Sequence, residues 1–334
     1  MTITASKILL LTRNWGREAG FNIELAKCIT EYCGISSLTN LELENTESII
    51  SALIRATKDT NFDFLIIDAR CCIIDARFPQ LHTHLQDARQ INLICRQKNI
   101  VPICILTDPL FPGFSLLADL LTYRSGLVVP ITAEVPFSKF IFRQSSIPVG
   151  TPISIETFTE LESTRHDSKH DFDLYLGGST YEPRKSYFDK VNKILSKTEI
   201  RIQQTPKKAD NYKDYLMDLR KSKMVLSTNF LQLPESKKTH LLGKSLETLH
   251  VGSLLLTQST PELTHNFTEN IDFIPVESPK DAAEKILHFN FYEEERLRIS
   301  ESGFSKAKKL VMRSYFISEI DHALTSNRLP KLRK

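Results

Sequence analysis

The chain alternates between short runs that are apolar throughout and longer segments in which apolar residues recur every three or four positions. Lys7–Thr12 is the first apolar run and predicts a strand. A polar loop, Arg13–Gly20, follows it. Phe21, Leu25, Cys28 and Ile29 then mark one face of a helix. The alternation continues with a short strand at Leu38–Leu43 and a helix carrying Ile49, Leu53 and Ile54. Strands are predicted at Phe62–Ile67, Val101–Leu106 and Leu127–Val129, with helices at Leu81–Lys98 and Leu116–Leu121. Strands that are hydrophobic at every position belong to a sheet covered on both faces. Their alternation with amphipathic helices means βαβ units and parallel pairing.

From Ser145 to Lys169 the texture changes. Pro148 and Pro152 precede the polar stretch Glu160–His170, which reads as a linker. The pattern then restarts. Strands are predicted at Phe172–Leu176, Glu199–Gln203, Met224–Thr228, Leu254–Thr257 and Phe273–Val276. Helices are predicted at Arg184–Leu195, Tyr212–Ser222, Leu241–His250, Ala282–Phe289 and Tyr292–Tyr315, the last extended by Ile317–Leu324. The expected fold class is α/β: two Rossmann-like lobes with parallel sheets and a cleft between them. The expected domains are 1–150 and 151–334, with the last helix a candidate to cross back to the first lobe. A length of 334 residues agrees with two cores, since single cores usually stop growing at about 250–300 residues.

Composition changes this picture little. Hydrophobic residues make up 41% and charged residues 25%, as in ordinary globular proteins. A formal net charge of +3 gives no reason to expect nucleic acid as a partner. The six cysteines, Cys28, Cys33, Cys71, Cys72, Cys95 and Cys104, lie in the first third and mostly inside apolar runs. They read as buried free thiols in a reducing compartment. The apolar N-terminal run is too short for a membrane span and lacks a cleavage site, so a cytoplasmic protein without an integral membrane segment is expected.

Two stretches carry candidate chemistry. Gly177-Gly178-Ser179 closes the first strand of the second half, and Arg184 and Lys185 open the next helix. Such a turn presents backbone N–H groups to an anion, and the two cations add donors for a diphosphate. Arg184 and Lys185 can equally be a solvated helix face. The second stretch is His240–Thr257. Glu247 lies near the end of a helix, followed by Gly252 and an apolar strand. Ligands of open α/β sheets bind at the carboxyl ends of the strands. A glutamate there can accept two hydrogen bonds from a ribose diol, and a glycine lets backbone approach closely. On these residues alone, Glu247 can also be a solvated helix residue and Gly252 a helix cap.

The order of these stretches resembles the C-terminal half of GT-B-fold glycosyltransferases, particularly the bacterial spore-maturation-type group. The likeness rests on DLYLGGSTYEPRKSYFDKVNKIL, SKMVLST, KSLETLHVGSLLLTQSTPEL, Phe267 and Ile271, SPKDAAEKI, and a terminal helix with Arg296 and Gly303. The resemblance implies transfer of a sugar from a nucleotide diphosphate sugar to an acceptor hydroxyl; no cofactor is expected, and no metal ion is required if Arg184, Lys185 and Lys244 stabilise the departing diphosphate. It implies that Glu247 binds the donor ribose, that Lys244, Arg184 and Lys185 face its phosphates, and that Thr257 and Gln258 lie close by, together with Gly177, Gly178 and Ser179. Many retaining members carry a second glutamate eight residues before the ribose-binding one. Thr239 stands there in this chain, so no retaining outcome is inferred.

The first lobe is expected on the acceptor side. The loop with Arg13, Trp15 and Arg17 sits where such enzymes place an acceptor loop. Asp108, after the strand ending at Leu106, is the candidate general base, with a turn-capping role as the alternative. Other readings are a non-catalytic GT-B-like binding module and another nucleotide-sugar enzyme such as an epimerase. Asp171-Phe172-Asp173 has the form of a metal motif but lies at the wrong end of its strand. His82 and His84 are expected to be solvated helix residues.

Overall fold

The structure is a computed structural model, and it describes residues 2–13, 19–44, 47–72, 81–106, 112–130, 150–165, 170–177, 182–204, 212–228, 241 and 243–325. The chain divides into two compact units, 1–154 with 314–334, and 155–313.

The first unit runs β1 (Ile8–Arg13), α1 (Ala19–Cys33), β2 (Leu38–Leu43), α2 (Ile49–Ala56), β3 (Phe64–Asp68), α3 (Leu81–Gln97), β4 (Val101–Leu106), α4 (Pro112–Thr122) and β5 (Leu127–Pro130). All strands pair in parallel in the order β2-β1-β3-β4-β5. The apolar strands have the physical cause expected of them. Side chains of a strand alternate between faces, so Leu9, Leu11, Leu65 and Ile67 enter one core while Ile8, Leu10, Phe64 and Ile66 enter the other. Both faces are buried, and neither has a polar position to give up. Cys28, Cys71, Cys95 and Cys104 are buried free thiols.

The second unit runs α5 (Ile155–Ser163), β6 (Phe172–Gly177), α6 (Arg184–Leu195), β7 (Ile202–Gln204), α7 (Tyr212–Arg220), β8 (Ser222–Ser227), α8 (Gly243–Val251), β9 (Leu254–Thr257), α9 (Pro261–Thr264), β10 (Ile274–Pro275), α10 (Pro279–Phe291) and α11 (Glu293–Met312). Its sheet is also parallel, in the order β10-β9-β8-β6-β7. Leu174, Leu176, Leu226 and Leu256 pack on one side. Leu255 and Phe273 pack on the other, with Leu249 of α8.

Two sequence expectations are corrected. Part of the expected linker is helix α5. Phe158 and Leu161 are buried, Phe158 stacks on Phe304 at 5.2 Å, and the Arg220 guanidinium donates to Leu161 O (2.6 Å) and Thr164 Oγ1 (2.9 Å). Those bonds satisfy groups at the end of a helix that have no partner within it. The long terminal helix is two helices. It breaks at Ser314, whose φ of 50° lies in the left-handed region, and α12 (Tyr315–Thr325) follows. That helix belongs to the first unit. Phe316, Ile317 and Ile320 join its core, and Asp321 accepts from Ile3 N (2.7 Å) and Tyr32 Oη (3.1 Å).

Candidate functional site

The second unit gathers polar residues along the carboxyl edge of its sheet. Gly177 ends β6, Ser227 ends β8 beside it in register, and Thr257 ends β9. Helix α8 packs against α7, and on α8 Lys244 and Glu247 lie one turn apart. A Cβ at Gly177 would overlap Lys244 Cδ, so the glycine is what lets the lysine stem lie across the end of the strand. Lys244 Nζ sits 5.5 Å from the ring centre of Tyr175 and 5.0 Å from that of Tyr215. A cation over aromatic faces at such distances is attracted by the ring quadrupole. Gly177, Lys244 and Glu247, far apart in sequence, therefore meet at one place.

Glu247 is 8% exposed. The Tyr212 hydroxyl donates to its Oε1 at 3.0 Å and the Tyr215 hydroxyl to its Oε2 at 2.7 Å. A carboxylate so buried requires such partners. Burial raises its pKa above the ordinary value. The hydrogen bond from Tyr215, the charge of Lys244 and the hydrogen bond from Tyr212 act the other way. The Tyr215 hydroxyl is pushed well above its usual range by burial and by the Glu247 charge, so it stays a proton donor at neutral pH. The solvated alternative for Glu247 is set aside by its burial. Tyr212 and Tyr215 were not read from the sequence as site residues. Their spacing of three on a predicted helix, which puts both on one face, was the available signal.

Arg184 and Lys185 differ although they are neighbours. Arg184 is 3% exposed, and its Nε donates to Thr228 Oγ1 at 3.0 Å just beyond β8. Lys185 is exposed. The lysine is thus exposed and the arginine is not. Thr257 is fully buried, and its hydroxyl has no hydrogen-bond partner among the described residues. Gln258 is buried beside the Tyr187 hydroxyl, which burial pushes above its usual range. Gly252 has φ of 78° at the end of α8, and a Cβ there would sit 2.6 Å from Arg165 Nε. Its task is the helix cap, not close approach of a ligand.

Gly178, Ser179, Trp15, Arg17 and Asp108 lie outside the described residues. Arg13 is 1% exposed, and its guanidinium donates to the carbonyls of Cys71, Glu44 and Glu47, which ties loops of the first unit together. That is a structural task. Asp173 pairs with Arg201 (3.2 Å) and Lys223 (2.8 Å) at the start of β6. His84 is buried, against the expectation of a solvated residue. Among the described residues no group of three or more His, Cys, Asp or Glu side chains is placed to hold a metal ion. Among them no helix is long and apolar enough to cross a membrane.

Residues 162–315 match the family model described as glycosyl transferase-like. That segment is similar to glycosyltransferases, and the architecture is that of the GT-B fold. No curated protein matches the sequence. Among solved structures, Anabaena HepE in complex with UDP and glucose superposes with a TM-score of 0.61 at 10% identity, over 96% of this chain and all of that one. The β-glucosyltransferase of phage T4 with its UDP-glucose substrate gives 0.54 at 10% identity, over 96% and 99%. A glycosyltransferase from Rickettsia africae gives 0.51 at 14%, over 96% and 99%. What is shared is the two-sheet parallel architecture. The matched segment contains every donor-side residue named above, from Gly177 to Gln258. The narrower spore-maturation-type group stays an expectation of the sequence.

Proposed function

We propose that the protein transfers a glycosyl group from a nucleotide diphosphate sugar to a hydroxyl of an acceptor. In this reading Glu247 accepts hydrogen bonds from the donor ribose. Lys244, Arg184 and Lys185 face the diphosphate, with Thr257 and Gln258 beside it. The carrying observation is the buried Glu247 carboxylate, one turn from Lys244, at the carboxyl edge of the second unit's sheet, in the segment similar to glycosyltransferases. Uridine nucleotides are the first donors to try, because the structures of similar fold hold UDP or UDP-glucose.

The acceptor oxygen attacks the anomeric carbon, and the bond from that carbon to the diphosphate breaks. The nucleoside diphosphate leaves with the electron pair, and the hydroxyl proton passes to a base, for which Asp108 is the candidate. Most of the rate would come from positioning and from cations that stabilise the departing charge. On this reading no metal is required, and the first unit supplies the acceptor side.

Thermal denaturation with UDP and UDP-glucose tests the reading. A ligand at 100 times its Kd stabilises the folded state by about 2.7 kcal/mol, which raises the Tm visibly. Release of glucose or UDP from UDP-glucose should persist in EDTA. The absence of a shift with any nucleotide diphosphate or nucleotide sugar overturns the assignment. Loss of turnover in EDTA, restored by Mn2+, overturns its metal-free part.

A further inference from the structure

We infer that Tyr215 is a positioning residue of the donor site, fixing the Glu247 carboxylate so that it reads a ribose diol. The inference rests on the assignment of Glu247 as the ribose ligand. Tyr212 and Tyr215 project from one face of α7 and reach different oxygens of the same carboxylate, at 3.0 and 2.7 Å. The shorter bond lies at the distance of a charge-assisted O–H···O⁻ contact. A carboxylate offers about four lone-pair sites. The two tyrosines occupy one on each oxygen, which leaves one on each. That is the number and placement that two neighbouring ribose hydroxyls require.

Tyr215 does more than Tyr212, because its ring also lies 5.0 Å from Lys244 Nζ. One side chain touches both the carboxylate assigned to the ribose and the cation assigned to the phosphates. A ribose and its 5′-diphosphate are joined covalently at a fixed separation. Holding their two receptors through one rigid ring sets that separation before the donor arrives, and preorganisation of this kind lowers the ordering cost of binding. Tyr175 supports the cation from the strand side, with its ring centre 5.5 Å from Nζ.

The test is calorimetric titration of the full chain with UDP and with 2′-deoxy-UDP. The wild type should prefer UDP. In Tyr215→Phe the UDP affinity should fall about tenfold, the equivalent of losing one hydrogen bond to a charged group. The affinity for 2′-deoxy-UDP, which has only one of the two hydroxyl contacts to lose, should fall less, so the preference for the ribose narrows. A purely structural role would weaken both ligands in parallel and leave the preference intact, and that result overturns the inference. Tyr212→Phe provides a second variant with a smaller loss of preference, which keeps the question answerable if the first variant fails to fold. Wild-type protein that binds no nucleoside diphosphate, or Glu247→Gln that binds UDP as the wild type does, overturns the assignment of Glu247 itself. A preference kept in both tyrosine variants but lost in Glu247→Gln overturns only the role of the tyrosines.

Discussion

Glu247→Gln separates the binding role of this residue from its effect on stability, and the two should move in opposite directions. The substitution keeps the shape of the side chain and one acceptor oxygen while removing the charge. Hydrogen bonds to a charged group contribute about 1.5–3 kcal/mol, and neutral ones about 0.5–1.5 kcal/mol. A ribose diol facing glutamine loses one such bond and weakens the other. The expected loss is about 2–3 kcal/mol, or roughly 30- to 150-fold in Kd for UDP. Stability responds differently. The folded state raises the pKa of Glu247, chiefly through burial, so it holds this proton more tightly than the unfolded chain does. Stability is therefore lost as pH rises from the ordinary glutamate value of about 4.5 through the folded value. Glutamine does not titrate and escapes that loss. At neutral pH the variant should be at least as stable as the wild type, and the difference should close below about pH 4.5. Titration calorimetry with UDP and urea denaturation at several pH values read the two arms. Unchanged UDP affinity would refute the ribose role. A variant clearly less stable at neutral pH would refute the argument that burial dominates at this carboxylate.

Two further predictions concern the frame around the site. A Cβ at Gly303 would overlap the carbonyl oxygen of Asp272 and lie 2.8 Å from Leu249 Cδ2. Gly303→Ala should therefore cost about 1–3 kcal/mol by urea denaturation, since neither the backbone oxygen nor α8 can withdraw cheaply. Asp173 is subject to burial, which raises its pKa, but hydrogen bonds from Arg201 and Lys223 outweigh it and bring the pKa to about 2 from 3.8. Its contribution is present above the ordinary value and is lost as pH falls from 3.8 through about 2. Asp173→Asn should cost about 2 kcal/mol at neutral pH and well under ~1 kcal/mol at pH 2, where the native carboxyl is half protonated, and a constant deficit across that range would contradict the ion-pair account.

The central strands were legible in the sequence because burial on both faces leaves long apolar runs. No apolar–polar alternation interrupts a run such as Ile8–Leu11, whose four side chains all enter cores. Helix α5 was not legible because Phe158 and Leu161 are its only large buried apolar residues, and much of its hold comes from distant polar partners: Arg220 on Leu161 O, Lys213 on Glu160 and Lys308 on Glu162. The same limit applies at the site, in a sharper form. Arg184 and Lys185 carry the same charge at adjacent positions, and composition gives no means of choosing between them. The structure chooses through Thr228, a hydroxyl on a neighbouring strand end that receives the guanidinium and makes its burial tolerable. Glu247 is likewise buried because Tyr212 and Tyr215 receive it. Which charges are buried is decided by partners that tertiary packing brings from elsewhere in the chain. A local pattern can nominate a charged residue, but it identifies a binding residue only together with the partner that holds it in place. For that reason the ribose preference of the Tyr215 variant is a sharper test of this site than removal of the glutamate alone.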